Sequence, residues 1–278
     1  MWFLLLLVGL FGILIGMNNK EIESFLYSYD DWKSVAKKWP YCFEIEEKGQ
    51  LLYYFGANHS HDPSNEQFPI LREFWGKFLE KTDSKNAVVF VEGGLRKASK
   101  DEEMTIRDNG EGGLITWLAN NSKISTHCPE SNRGEEMKYL LEKFSKDEIE
   151  YYYFVRGIHS GNRLNPRPNF EEYANKCLAR DKTESGWGEF DFSLGNMKKI
   201  HKNIFGTDFN ENEEKQSYVN PVSENSVINK VARACSTYRN VHIVSEILKF
   251  WQEGKNIFVV FGGSHAVLQE PALRRLLK

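Results

Sequence analysis

Residues 51–62 read LLYYFGANHSHD, and this stretch decides the fold. Leu51 to Phe55 is a short apolar and aromatic run, which predicts a buried β-strand. It stops at Gly56, and three residues on stands His59, followed by His61 and Asp62. Residues 257–265, IFVVFGGSH, repeat the pattern: a strand from Ile257 to Phe261, then Gly262, then His265. The chain therefore twice writes a strand, Gly-x-x-His and a helix. The glycine is expected to let the backbone turn sharply where the strand ends. The histidine is then expected in a loop at the strand's carboxyl end, where open α/β sheets bind ligands. Two imidazoles delivered in this way are set to converge on one metal or one substrate.

Working outward from 51–62, Cys42 to Ile45 and Leu51 to Phe55 flank a polar segment and predict a β-hairpin with Gly49 in the turn. Glu21 to Trp39, before it, is read as a helix that packs on the sheet. After it, Ser64 to Lys81 is an amphipathic helix whose Phe68, Leu71, Phe74 or Trp75, and Phe78 read as core contacts. Ala87 to Val91 (AVVFV) predicts a second strand, apolar throughout as a strand covered on both faces is. It ends in Glu92-Gly93-Gly94. Burying an unpaired charge is costly, so Glu92 is either exposed in a cleft or paired. In a site it would bind a metal or orient a histidine; otherwise it is a solvated strand end. Gly110 to Gly113 (GEGG) is read as a loop into a short helix, and it lacks the ending of a phosphate-cradling loop. Ile124 to His127 predicts a third strand, followed by Cys128, Pro129 and Glu130, and Arg133 to Phe144 a helix. Strands alternating with helices imply right-handed crossovers and a largely parallel sheet.

From about residue 147 to 221 the character changes to helical pieces and aromatic-rich loops. Glu150 to Val155 leans to helix, Asn165 to Pro168 is a break, Phe170 to Arg180 and Leu194 to Ile204 are helices, and Asp208 to Gln216 is an acidic loop. This block is read either as a helical insertion that covers the sheet's active edge and sets substrate choice or as a packing subdomain with no ligand contact. The run 223–254 is mostly helical, with Arg239-Asn240 read as a join between two helices. Pro271 to Leu277 closes the chain as a short helix. The fold class is thus α/β: a central mostly parallel sheet with an N-terminal β-hairpin, flanking helices and a helical insertion, all in one domain over residues 18–278.

Composition narrows the function classes. The 278 residues are 41% hydrophobic and 27% charged, ordinary for a globular chain. The net charge is −3 with no basic block, which argues against a nucleic-acid partner. The four cysteines, Cys42, Cys128, Cys177 and Cys235, form no CxxC pair and read as buried free thiols. Trp2 to Met17 is an apolar run of signal-peptide length, short of the about 20 residues of a membrane span. It is either a signal or an N-terminal membrane anchor, giving an exported or membrane-attached protein, or it is untranslated. In the latter case translation starts at Met17 and the protein is cytoplasmic.

Four segments together resemble a known family: the hairpin YCFEIEEKGQLLYYFGANH (41–59), VVFVEGG (88–94), ISTHCPE (124–130), and RNVHIVSEILKFWQEGKNIFVVFGGSHAVLQEPALRRLL (239–277). Their order resembles the TraB/TIKI proteins, including the GumN-type members, within the erythromycin-esterase and ChaN-like superfamily. The resemblance covers roughly Pro40 to Glu130 and Tyr238 to Lys278. Glu92 is followed by two glycines where many relatives carry polar residues, and the middle block is not matched. The resemblance implies a metal-dependent hydrolase of peptide, amide or ester bonds, acting on a peptide or small molecule. His59 and His265 carry over from the paired motifs and Glu92 as the strand-end acid; the histidines would both ligate a divalent ion such as manganese, cobalt, zinc or iron, or one would ligate and the other act as general base, and Glu92 would be a ligand or a base. Arg239 would stabilise negative charge on a tetrahedral intermediate. Asn240, from the Arg-Asn pair, and Glu130 would contact substrate. The ChaN branch implies an alternative, a haem- or iron-binding protein, and a non-catalytic interaction module of the same fold is a third reading.

Overall fold

Lys48 and Gly49 have φ of 53° and 81°, the two left-handed residues that a tight hairpin turn demands. They join β1 (Tyr41–Glu47) to β2 (Gln50–Ala57), antiparallel, with Glu47 opposite Gln50. The computed structural model describes residues 18–35, 37–162, 164, 166–211 and 216–278. The apolar run at residues 2–17, residues 212–215 of the acidic stretch and Asn165 of the expected break lie outside the described residues. Among those described, no helix is long and apolar enough to cross a membrane.

Beyond the hairpin the elements alternate. They are α3 (Gln67–Lys81), β3 (Ala87–Val91), α4 (Glu102–Asn121), β4 (Ser125–His127), α5 (Arg133–Leu140), α6 (Lys146–Asn162), α7 (Phe170–Ser185), α8 (Leu194–Phe205), α9 (Gln216–Val219), α10 (Val227–Gln252), β5 (Asn256–Gly262) and α11 (Gly263–Leu276). Two short helices, α1 (Asn19–Phe25) and α2 (Tyr29–Ser34), precede them. The fold is α/β, with the described strands in one sheet of order β1-β2-β5-β3-β4. β5 pairs in parallel with β2 on one side (Ala57 opposite Gly262) and with β3 on the other (Val91 opposite Val260). β4 continues the parallel set beside β3, and β1–β2 is the antiparallel exception. The strand nearest the end of the sequence thus sits in the middle of the sheet. All seven residues of β5 and all five of β3 are buried, as strands covered on both faces must be.

Alternation along the strands builds a core on each face. Tyr54, Phe90, Val259 and Phe261 pack against Val244 and Ile247 of α10 and Ala266 and Leu273 of α11. Tyr53, Phe55, Val89, Phe258 and Val260 pack on the other face against Phe68, Leu71, Trp75 and Phe78 of α3 and Leu114 and Ile115 of α4. A third core, with no strand, gathers α5 to α8 around Ile228, Val231, Ala232 and Cys235 of α10. α10 is therefore shared: its first half serves the helical block and its second half the sheet.

Four local expectations are corrected. The helix expected from Glu21 to Trp39 is instead two short helices, Asn19–Phe25 and Tyr29–Ser34, because Ser28 and Asp31 close a capping box that starts a new helix after Leu26 has turned extended; position 36 of the expected helix lies outside the described residues. Gly110 to Gly113 lies inside α4, where Gly110 (φ 57°, ψ −144°) kinks the helix and lets it resume. Arg239-Asn240 is no join: α10 runs unbroken through both, and the change of polarity there marks its passage from one core to the other. The last helix begins at Gly263, directly on β5, and carries Pro271 inside it. Burial of Ala266, Val267, Leu268, Ala272 and Leu273 offsets the about 3 kcal/mol that an interior proline costs.

Candidate functional site

The strand order brings the motifs together. β2, β5 and β3 are neighbours and parallel, so their carboxyl ends lie side by side, about 4.8 Å apart per step. His59 follows β2, His265 follows β5, and Glu92 follows β3. His59 is in the loop that was expected. His265 is in the first turn of α11.

The glycines of the two motifs act by size rather than by left-handed φ. Gly56 lies within β2, and a Cβ there would come within 2.7 Å of both Ala266 Cβ and the Tyr41 carbonyl oxygen. Gly262 has φ −54°, open to any residue, but its Cβ would lie 2.8 Å from His59 Nε2 and 3.3 Å from Glu92 Oε2. Gly56 lets α11 seat on the sheet, and Gly262 keeps the space between histidine and carboxylate open.

Glu92 is the centre. Its Oε2 accepts from the Gly262 backbone N–H at 2.6 Å and stands 3.8 Å from His59 Nε2. Its Oε1 stands 3.8 Å from His265 Nε2 and 3.9 Å from Arg239 Nη2. Burial would raise its pKa. His265, Arg239, His59 and the Gly262 N–H outweigh that and hold the carboxyl low, at about 2.

Each histidine is gripped on the side away from Glu92. His265 Nδ1 lies 2.8 Å from Asn240 Oδ1. The same oxygen accepts from Gln269 Nε2 at 2.7 Å, and Tyr54 OH donates to Gln269 Oε1 at 2.9 Å. Asn240 Nδ2 donates to the Ser236 carbonyl, which fixes the amide's orientation. Asn240 Oδ1 can only accept, so His265 carries its proton on Nδ1 and leaves the Nε2 lone pair facing Glu92. Burial pushes its pKa down to about 4 against the pull of Glu92, so the ring is neutral at neutral pH. His59 Nδ1 is paired with Glu111 Oε1, and the Ser60 N–H donates to Glu111 Oε2 at 3.3 Å. Burial would raise the Glu111 carboxyl, but the His59 contact outweighs it and keeps the group ionised. His59 Nε2 is thereby turned towards Glu92 as well.

Arg239, at the middle of α10, spans the carboxylates. Its Nη2 donates to Glu130 Oε1 at 2.5 Å, and its Nε is 3.8 Å from Glu136 Oε1. Glu130, read from the sequence as a substrate contact, is therefore the partner of Arg239. Asn240, read the same way, is buried and spends its oxygen on His265 and Gln269. His61 contacts the Arg107 carbonyl and Asp62 caps the turn at Ser64; neither joins Glu92. Sequence reasoning missed Glu111, Gln269 and Glu136. Glu111 had a signal: a carboxylate among three glycines, where a Cβ at Gly110 would strike the Ser60 carbonyl at 2.8 Å.

The donor chemistry suits a divalent cation: two imidazole Nε2 atoms flank one carboxylate, each ring oriented through its other nitrogen. Two donors about 2.0–2.2 Å from a shared ion lie no more than about 4 Å apart. Both histidine–carboxylate separations, 3.8 Å, fall inside that limit. Among the described residues no group of three or more histidine, cysteine, aspartate or glutamate side chains is placed so as to hold a metal ion. Cavities open on both sides of the site. One of about 260 Å³ lies by His59, Glu92, Glu111 and Arg96, and one of about 310 Å³ by His265, Arg239 and Arg156. Comparisons with family models, curated proteins and solved structures find no match to this chain.

Proposed function

We propose that the chain is a divalent-metal-dependent hydrolase acting on a peptide, amide or ester bond at the carboxyl edge of the sheet. The observation that carries this reading is the pair of Nε2 atoms facing the two oxygens of Glu92, each 3.8 Å away. The motif resemblance to the TraB/TIKI proteins supports the same reading. His59, His265 and Glu92 would hold the ion, which would supply a Lewis acid and acidify water. Glu92 stays a carboxylate over the whole working range, and Arg239 and the Gly262 N–H hold it in place. Asn240 keeps the His265 proton on Nδ1, and Glu111 does the same for His59. Arg239 also has N–H donors near the site with which to meet charge that develops on a substrate oxygen.

The test is hydrolysis across peptide and ester panels with manganese, cobalt, zinc or iron added. The expected result is turnover that needs the metal and falls at least about a hundredfold in both His59→Ala and His265→Ala. Turnover indifferent to both substitutions, or none from any metal-loaded sample, would remove the hydrolase reading.

A further inference from the structure

The cavity of about 310 Å³ beside His265 has an unusual lining. It carries two arginines, two histidines, two tyrosines and three serines, and no aspartate or glutamate. One wall is a single face of α6, on which Tyr152, Arg156, His159 and Ser160 recur at helical spacing. The opposite wall is α10 at Arg239 and Ser236 together with the start of α11 at Ser264 and His265. The cavity therefore joins the helical block to the site at the sheet.

Arg156 is the anomaly in this cavity. Its guanidinium is partly buried, yet among the described residues it makes no hydrogen bond and no ion pair. Its charge is felt by Arg239, which it repels, and its attraction to Glu136 acts only through space. Arg239 is different: it is already committed to Glu130. The donors of Arg156 are unspent, and a bound anion would supply the partner they lack. The donors around it match that partner. Tyr152 keeps its phenol proton, since burial raises its pKa, and Ser264 lines the cavity beside His265, while the Tyr29 hydroxyl is spent on Ser236. Guanidinium is the side chain best shaped to receive a planar or tetrahedral oxyanion in a bidentate manner.

We propose that this cavity binds an oxyanion of the substrate, a carboxylate or a phosphate, with Arg156 as its receiving residue. The substrate class follows: an acidic peptide or an acidic small molecule whose anionic group occupies the cavity beside His265 while its scissile bond lies at Glu92. Calling the anion part of a substrate rests on the hydrolase reading; the anion site itself does not.

The experiment is a calorimetric titration of the purified protein with inorganic phosphate and, separately, with succinate, at fixed ionic strength. It compares wild type, Arg156→Gln, Arg156→Lys and His59→Ala. The expected result is saturable binding of at least one anion, weakened about ten- to a hundredfold in Arg156→Gln and less in Arg156→Lys. His59→Ala should bind as wild type does. Preference for phosphate or for succinate names the substrate's acidic group. Binding that is equal in wild type and Arg156→Gln, or no saturable binding of either anion to the wild type, overturns the proposal. Thermal melts guard against misfolding: Arg156→Gln and Arg156→Lys should each melt close to the wild-type temperature. A loss of anion binding with a lowered melting temperature in both Arg156 variants would instead make Arg156 structural and also overturn it. Hydrolysis that fails while the Arg156-dependent binding persists would sink the hydrolase and leave the anion site standing.

Discussion

Glu150 lies in α6 with 0% of its surface exposed, and neither carboxyl oxygen has a hydrogen-bond partner. Burial pushes its pKa from 4.5 up to about 9, with Asp181 adding to the shift and Arg133 and Arg180 opposing it. At pH 7 the folded protein must therefore hold a proton that the unfolded chain has given up. The folded pKa is raised, so the stability contribution is full below 4.5 and is lost as pH rises towards about 9. From 4.5 to pH 7 that loss is about 3 kcal/mol, at 1.36 kcal/mol per unit. Glu150→Gln keeps the shape and removes the titration. It should be more stable than wild type by up to about 3 kcal/mol at pH 7, or about 6–12 °C in Tm. At pH 4.5 it should have almost no advantage. Urea denaturation followed by circular dichroism at pH 4.5, 7 and 8 measures this directly. An advantage that is absent at pH 8, or equal at all three pH values, would refute the reasoning.

Other consequences concern the site. Gly262→Ala places a methyl 2.8 Å from His59 Nε2, so turnover should fall at least about tenfold while overpacking costs about 1–3 kcal/mol; an unchanged rate counts against a site between His59 and Glu92. Asn240→Leu leaves the His265 Nδ1–H and a Gln269 N–H without an acceptor and should cost about 2–4 kcal/mol in denaturant melts. In the same variant, nitrogen NMR should show His265 leaving the Nδ1–H tautomer; retention of that tautomer would remove Asn240 from the positioning role. Because the folded pKa of His265 is depressed from 6.5 to about 4, its stability contribution is full above 6.5 and is lost as pH falls towards 4. His265→Gln should therefore show a shallower fall in stability between pH 6.5 and 4.5, and an identical slope would contradict the buried neutral ring.

Much of this was legible in the sequence because the signals were local. The hairpin turn at Lys48-Gly49, the all-apolar strands 87–91 and 257–261, and the helical leaning of 150–155 each follow from composition and period over a few residues. The α/β class follows from their alternation. What could not be read was how distant pieces meet. Nothing in residues 256–262 says that this strand inserts between β2 and β3, yet that insertion is what sets His59, His265 and Glu92 at neighbouring strand ends. Glu111 was hidden because GEGG looks like a loop, whereas Gly110 kinks a helix so that the carboxylate reaches His59. Arg239-Asn240 looked like a break because the apolar stripe of α10 changes sides there, from the helical core to the sheet core. Arg156 gave no signal at all, since its lack of a partner is a property of the assembled cavity.

The central claim is that His59, Glu92 and His265 form one cation site. Elemental analysis of the purified protein beside His59→Ala and His265→Ala tests it most directly. The account predicts near-stoichiometric manganese, cobalt, zinc or iron in the wild type and its loss in both variants. A wild type that takes up no metal after reconstitution, or metal content that neither substitution changes, would contradict it.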